Sequence, residues 1–288
     1  MYLKPPDRFS FEGTVLSHGW YGLAPFSFDR ESGGLSYVFS DGRNKAFEAT
    51  ARKFRSGIRV EGPVLKKEIR AAAKGFERIF SFEHDFSDLY ETVSGDARLG
   101  WIAEKNAGRM LRSPTVFEDV VKTICTTNCS WALTKAMVTR LATKLGAKAR
   151  SGKSAFPTPE AMASASSDLY RKVIRAGYRS DYLKEFATSV ANGEVEPESW
   201  LDPEIPSDEL KKQLLSIKGV GDYAAESLLK LLGRFDSLAL DSFLRSEFYE
   251  KHNAGRKCGD GTIERFYEPF GDQKGIVMWF DICGDWEK

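Results

Sequence analysis

Cysteine is scarce. Only Cys125, Cys129, Cys258 and Cys283 occur, and no two stand in a CxxC pair. Cys125 and Cys129 lie four apart and can share a helix face, but with no second pair beside them the reading is buried free thiols rather than a zinc site. The three histidines, His18, His84 and His252, are scattered along the chain. Long apolar runs are missing too: charge or glycine interrupts them within about ten residues, against the roughly 20 that a membrane helix needs. The first residues, MYLKPPDRFSFEG, carry neither an apolar signal core nor an Arg/Ser-rich transit character. The expectation is an intracellular protein with no membrane partner. A strong net charge is also lacking. At +1, the chain does not bind polyanions over its whole surface, so any nucleic-acid face must be local. The last absence is local: no acid lies between Asp119 and Glu160, while Lys122, Lys135, Arg140, Lys144, Lys148, Arg150 and Lys153 fall inside that window. Such a stretch is either a solvated helix face or a phosphate-facing surface.

What is present is core material. Hydrophobic residues make up 42% of 288 residues, enough for one large domain or two to three small ones. Residues 1–95 carry strand-period alternation at Phe9-Ser10-Phe11, Thr14-Val15-Leu16, Phe26-Ser27-Phe28, Leu35 to Phe39 and Ile58-Arg59-Val60. Turn signals stand at Ser32-Gly33-Gly34, Asp41-Gly42 and Glu61-Gly62-Pro63. This predicts a small antiparallel sheet, with a helix over 63–80 packed on one face. Residues 96–288 read as helical. One or two helices span Val116 to Leu145 and end at Gly146, and Thr158-Pro159 opens another as N-cap and first helical residue. Gly177-Tyr178-Arg179 interrupts the next pair. Pro203 to Pro206 is a linker, and Ser207 is expected to cap the helix that follows.

That helix opens the most informative stretch, residues 207–245. Two amphipathic patterns flank Lys218-Gly219-Val220-Gly221, and an apolar segment then delivers Asp241. Glycines between two helices leave no side chain between the peptide N–H groups and an approaching phosphate, and the positive end of the second helix points the same way. Lys218 stands where it would meet phosphate.

LLSIKGVGDYAAESLLKL followed by LALDSFLR resembles the signature of the helix–hairpin–helix (HhH-GPD) DNA glycosylases. Ile124 to Ser130 resembles the helix start that in this family faces the gap left by an extruded base. FPTPEAMASAS with Gly177-Tyr178-Arg179 resembles helices of the 8-oxoguanine glycosylase and 3-methyladenine glycosylase II subgroups. The resemblance covers nearly the whole chain, most closely residues 109–248. It implies an α+β fold: an N-terminal antiparallel β-sheet domain (TBP-like), followed by a mostly α-helical two-lobed glycosylase core. The hairpin motif then spans 207–232 and the catalytic loop 233–245.

The resemblance also implies roles. Asp241 matches the catalytic aspartate, whose fixed anion stabilises positive charge on the sugar and activates water; capping the helix from Ser242 is the structural alternative and can coexist. Tyr223 stands where bifunctional members present a Schiff-base lysine, which implies a monofunctional enzyme. Its ring either stacks on the extruded base or packs in the core. Asn128 matches the residue that fills the vacated duplex, with capping as its alternative. Thr127, Lys135, Lys218, Gly219, Val220 and Gly221 join it as DNA contacts, and Trp279 joins Tyr223 at the base pocket. Phe266, Tyr267, Phe270, Phe280 and Trp286 are read mostly as core. The carbonyls of Leu215, Ile217 and Val220 are implied ligands of a Na+ or K+ ion. No other cofactor and no iron–sulfur cluster is expected, and Phe243 stands where 8-oxoguanine enzymes carry histidine. The implied partner is double-stranded DNA with a damaged base, most readily an alkylated purine such as 3-methyladenine, and the implied state is a monomer. An 8-oxoguanine glycosylase and a catalytically silent damaged-DNA binder are the alternatives.

Overall fold

The computed structural model describes residues 1–42, 45–62 and 65–284. Pro63 and Val64 of the expected helix and turn, and Trp286, lie outside the described residues. Five antiparallel strands form one sheet: β1 (Tyr2–Leu3), β2 (Phe26–Asp29), β3 (Gly34–Ser40), β4 (Ala46–Phe54) and β5 (Gly57–Glu61), in the order β1-β5-β4-β3-β2. The longest, β4, escapes the sequence reading because its inward positions Phe47, Ala49 and Ala51 include two alanines, whose small side chains weaken the period-2 signal.

The segment from Phe9 to Leu16 corrects the strand expectation. It is a helix, α1 (Phe11–Val15), with Ser10 Oγ accepting the Gly13 N–H at 3.1 Å. Phe11, Thr14 and Val15 are all buried, and i, i+3, i+4 is helical spacing, so the cap and the buried face outweigh a short alternation. The helix α2 (Lys66–Ile79) lies on the sheet through Ala72, Ala73, Phe76 and Ile79, with the Phe76 ring edge-on to Phe39 at 5.3 Å.

The remainder of the described chain is helical: α3 (Ser87–Ser94), α4 (Gly100–Glu104), α5 (Val116–Thr126), α6 (Trp131–Leu145), α7 (Pro159–Ser164), α8 (Arg179–Ala191), α9 (Ser207–Leu215), α10 (Asp222–Leu231), α11 (Ser242–His252), α12 (Asp260–Tyr267) and α13 (Lys274–Cys283). Thr158 caps α7 with Pro159 at its first position, as the sequence predicts. At α9 the expectation shifts by one residue. Pro206 is the N-cap and Ser207 the first helical residue.

Buried residues from Leu3 to Phe280 form one cluster that passes from the sheet into the helices. Two polar stitches cross it. The Tyr37 hydroxyl donates from β3 to Glu118 of α5 at 2.5 Å, and Glu118 pairs with Lys122 at 2.6 Å, both side chains buried. Arg112 reaches the carbonyls of Arg78 and Leu231 and the carboxylate of Glu83. It thereby ties the end of α2 to the end of α10, which carries the candidate site.

Candidate active site

The hairpin is built by close packing of α9 on α10, with Leu210 and Leu214 buried on one side and Ala224, Ala225 and Leu228 on the other. Its two glycines do different work. Gly219 has φ +91°, and a Cβ there would stand 2.7 Å from the Tyr182 ring, so the turn requires glycine. Gly221 has an ordinary φ of −93° and open space where a Cβ would be. It is the N-cap of α10, and without a side chain it leaves the first N–H groups of that helix, and their partial positive charge, open to the groove it lines. Lys218 is exposed and paired with Glu185 of α8 at 2.8 Å. It does not line the groove, so the structure holds it beside the turn rather than in it.

That groove, about 880 Å³, runs between the hairpin, the turn from α5 to α6 and the start of α11. It brings together Thr127, Asn128, Gly219, Val220, Gly221, Tyr223 and Asp241. Asp241 is half-buried, and its Oδ1 accepts the Leu244 N–H at 2.7 Å, so it does cap α11. The cap fixes one carboxylate oxygen and thereby the direction of the other. Behind Asp241 the loop is clamped to α10: Glu226 accepts the Ala239 N–H at 2.8 Å and pairs with Lys211 of α9 at 2.6 Å, while the Lys230 ammonium donates to the Leu238 carbonyl at 2.6 Å. Tyr223 shows its ring to the groove. Burial of its hydroxyl end, with the Asp241 carboxylate close by, pushes its pKa up to about 12, so it is a neutral donor at physiological pH.

Across the groove, Asn128 stands exposed at φ +45°, a left-handed conformation that asparagine tolerates. It is not a cap. That role falls to Ser130, whose hydroxyl accepts the Leu133 N–H at 3.4 Å. The buried Arg179 reaches back from α8 to the carbonyl and hydroxyl oxygens of Thr127, and its guanidinium lies over the Tyr178 ring, 4.4 Å from the centroid. Tyr178, half exposed, receives the Asn128 side-chain N–H at 3.4 Å. The two side chains form one projection, and Tyr178 is a groove residue that the sequence reading used only as a family marker.

The acid-free window does not form one phosphate face. Lys122 is buried against Glu118, Lys153 pairs with Glu48 at 2.5 Å, and Arg140 donates to the Ile174 carbonyl. Lys135 is exposed on α6 and lines neither the groove nor the cavity behind it. What the window contributes to the groove is its turn, Thr126 to Cys129. Cys125 is buried, with its thiol pushed up to about 12, and Cys129 lies against the Cys125 carbonyl at 3.2 Å. Among the described residues no three His, Cys, Asp or Glu side chains gather as a metal site. Leu215 ends α9, and the carbonyls of Ile217 and Val220 follow in the turn. Ile217 accepts one hydrogen bond, from the Val220 N–H at 3.0 Å. Leu215 and Ile217 stand at the C-terminal end of α9, where carbonyls have lone pairs to spare.

Behind the groove lies a cavity of about 210 Å³. Tyr223 and Thr126 line both. The helix α10 turns Tyr223, Ser227, Lys230 and Leu231 toward it, positions i, i+4, i+7 and i+8 of one face. Trp20, Trp131 and Trp279 supply aromatic walls. Trp279 is anchored from α13 by donating to the Ser17 carbonyl at 2.9 Å. His18, its pKa pulled down to about 4 mainly by burial, is neutral and hydrogen-bonded to the Leu111 carbonyl at 2.6 Å. Tyr267 and Phe280 are buried, and Phe266 and Phe270 pack against the same core, as expected. Lys230 escaped the sequence reading. Its signal is a charge inside the apolar run Leu228 to Leu232, seven residues after Tyr223.

A scan against protein-family models finds no match, and a search of curated proteins finds none either. Among solved structures the chain is similar to 3-methyladenine DNA-glycosylase from Archaeoglobus fulgidus, with 20% identity and a TM-score of 0.77 over 99% of each chain. It is similar to the Clostridium acetobutylicum 8-oxoguanine glycosylase/lyase in its apo-form, with 18% identity and a TM-score of 0.75 over 98% of each chain. MBOgg1 in complex with a low affinity DNA ligand matches at 20% identity and a TM-score of 0.75, over 98% of this chain and 94% of that one. The α+β fold implied by the helix–hairpin–helix resemblance, sheet and helices together, is therefore the fold of this chain, shared with these DNA glycosylases.

Proposed function

We propose that this protein is a monofunctional DNA glycosylase that removes a damaged purine from double-stranded DNA by hydrolysis. The observation that carries this reading is the wall that groove and cavity share at Tyr223 and Thr126, with Asp241 beside Tyr223 on the groove side. The glycine turn and the N-terminus of α10 hold backbone phosphate. Asn128 and Tyr178 enter the space left by a nucleotide turned out of the helix, and the base enters the aromatic cavity. The electron pair of the C1′–N bond leaves with the base, and the carboxylate of Asp241 stabilises the positive charge on the sugar. A water oxygen then bonds C1′ and gives its proton to that carboxylate. With tyrosine at 223, no lysine stands where a Schiff base would form in a bifunctional enzyme. A monovalent cation on the carbonyls of Leu215, Ile217 and Val220 would stiffen the turn.

Three indole rings and a phenol favour an electron-poor base, hence an alkylated purine. A second reading, an oxidised guanine, draws on one observation: the Lys230 ammonium lines the same cavity. The protein is proposed to act as an intracellular monomer. The test is release of bases from duplexes bearing alkylated, oxidised or deaminated bases, read as alkali-labile abasic sites. Asp241→Asn, which still caps α11, should lower release by roughly 10²–10⁴-fold while duplex binding persists. No release from any duplex leaves only the silent DNA binder. A covalent adduct trapped with borohydride overturns the monofunctional reading.

A further inference from the structure

We infer that Lys230 and Thr123 select the base: together they read a lactam edge, a ring carbonyl beside a ring N–H, so that guanine-derived bases are preferred to adenine-derived ones. The inference rests on the glycosylase reading of the cavity and deepens it.

Several of the polar groups that line the cavity are engaged elsewhere. Trp20 Nε1 donates to Asp119 at 2.8 Å, Trp279 Nε1 to the Ser17 carbonyl, and His18 Nε2 meets the Leu111 carbonyl. Trp131, Tyr223 and Ser227 add polar atoms to the lining, and two further groups, both buried, retain capacity. Lys230, 4% exposed, makes a hydrogen bond to the Leu238 carbonyl, and an ammonium carries three N–H donors. Thr123 of α5 lines the cavity from the helix packed against α10, and its hydroxyl oxygen is buried without a partner. A buried hydroxyl left unpaired and a buried ammonium with donors to spare are both costly, and a ligand with complementary groups relieves both.

The pair is one strong donor and one group able to accept. A lactam edge presents the reverse: the carbonyl at C6 of a guanine-type purine accepts from Lys230, and N1–H donates to Thr123. An adenine-type edge presents an amino group where the ammonium stands, donor against donor. The preference therefore runs against 3-methyladenine. Uracil carries the same lactam edge on a smaller ring, so the chemistry is shared and the substrate panel separates the sources. Burial pulls the Lys230 pKa down to about 7, against the pull of Glu226 on its own helix, Cys283 at the end of α13 and Asp241 before α11; Tyr223 and His18 complete the titratable lining. A bound carbonyl favours the charged form.

The experiment measures single-turnover release from duplexes containing 8-oxoguanine, 7-methylguanine, hypoxanthine, uracil or 3-methyladenine, with the wild type and Lys230→Met. Wild type should favour the purine lactams, and the substitution should lower their release relative to 3-methyladenine by about 10–100-fold. A wild-type preference for 3-methyladenine, or equal loss on every base, overturns the inference. Should Lys230→Met fail to fold, the wild-type pH profile decides. Lactam release should fall above pH about 7 while 3-methyladenine release does not follow it; parallel profiles overturn the inference. Quenching of tryptophan fluorescence by free hypoxanthine and adenine separates the two readings. Selective quenching by hypoxanthine without release from any duplex sinks the glycosylase reading and keeps this one, and equal quenching sinks this one.

Discussion

Gly219 and Gly221 look equivalent in the sequence and are not. At Gly219 an alanine meets both a left-handed backbone and the Tyr182 ring, so Gly219→Ala is expected to cost about 1–3 kcal/mol, measured as a shift in the urea midpoint. Gly221→Ser keeps a good N-cap at an ordinary φ, so stability should hardly change. Its side chain, however, stands before the open N–H groups of α10, so affinity for duplex DNA should fall. Equal stability losses in the two variants would contradict this division. Asp241 is double in a similar way, since one carboxylate oxygen holds a helix while the other faces the groove.

The helix α10 organises the site as an element. Its N-terminus opens on the groove, its inner face lines the cavity, and through Glu226 and Lys230 it holds the loop that carries Asp241. That loop contains Ala239 at φ +52°, a conformation that costs a non-glycine residue and persists because Glu226 and Lys230 hold the N–H and C=O of the Leu238–Ala239 peptide. Removing the carboxylate in Glu226→Ala leaves the Ala239 N–H and Lys211 without this partner. We expect a loss of about 1–3 kcal/mol in stability and, from the displaced Asp241, a drop in base release of roughly 10–100-fold, with DNA affinity unchanged. Release at the wild-type rate would show that Asp241 keeps its place without the clamp. Glu226 was legible in sequence only as one acid on an amphipathic helix, because its partner N–H lies in the backbone thirteen residues on.

Across the molecule, two histidines sit at joints between the N-terminal residues and the helices. Burial pulls both His18 and His84 down from 6.5 to about 4, His84 with help from the Arg112 guanidinium beside it. Each takes up a proton more readily when the chain is unfolded, so protonation favours unfolding. Their contribution to stability is full above pH 6.5 and is lost as the pH falls toward 4. The wild type should therefore lose stability across that window faster than the double variant His18→Gln/His84→Gln, read from urea midpoints at each pH. Parallel curves for the two proteins would rule out this coupling.

The helices around the hairpin and the cap at Thr158 were readable from the chain because each depends on neighbours within a few residues: glycines in a turn, a proline after a cap, apolar residues at helical spacing. The same local logic failed at α1, where a three-residue alternation competed with a cap and a buried helical face, and at β4, where alanines carry too little hydrophobic contrast. Which charges stand at the groove was not readable. The acid-free window looked continuous in one dimension, yet tertiary contacts bury Lys122, pair Lys153 with Glu48 and leave Lys135 away from the groove. The cavity is likewise a product of packing alone, since its walls come from residues as far apart as His18 and Trp279. Local sequence determines which helices, turns and caps form; long-range packing decides which of their side chains share a desolvated space, and that sharing makes Lys230 a candidate reader of the base.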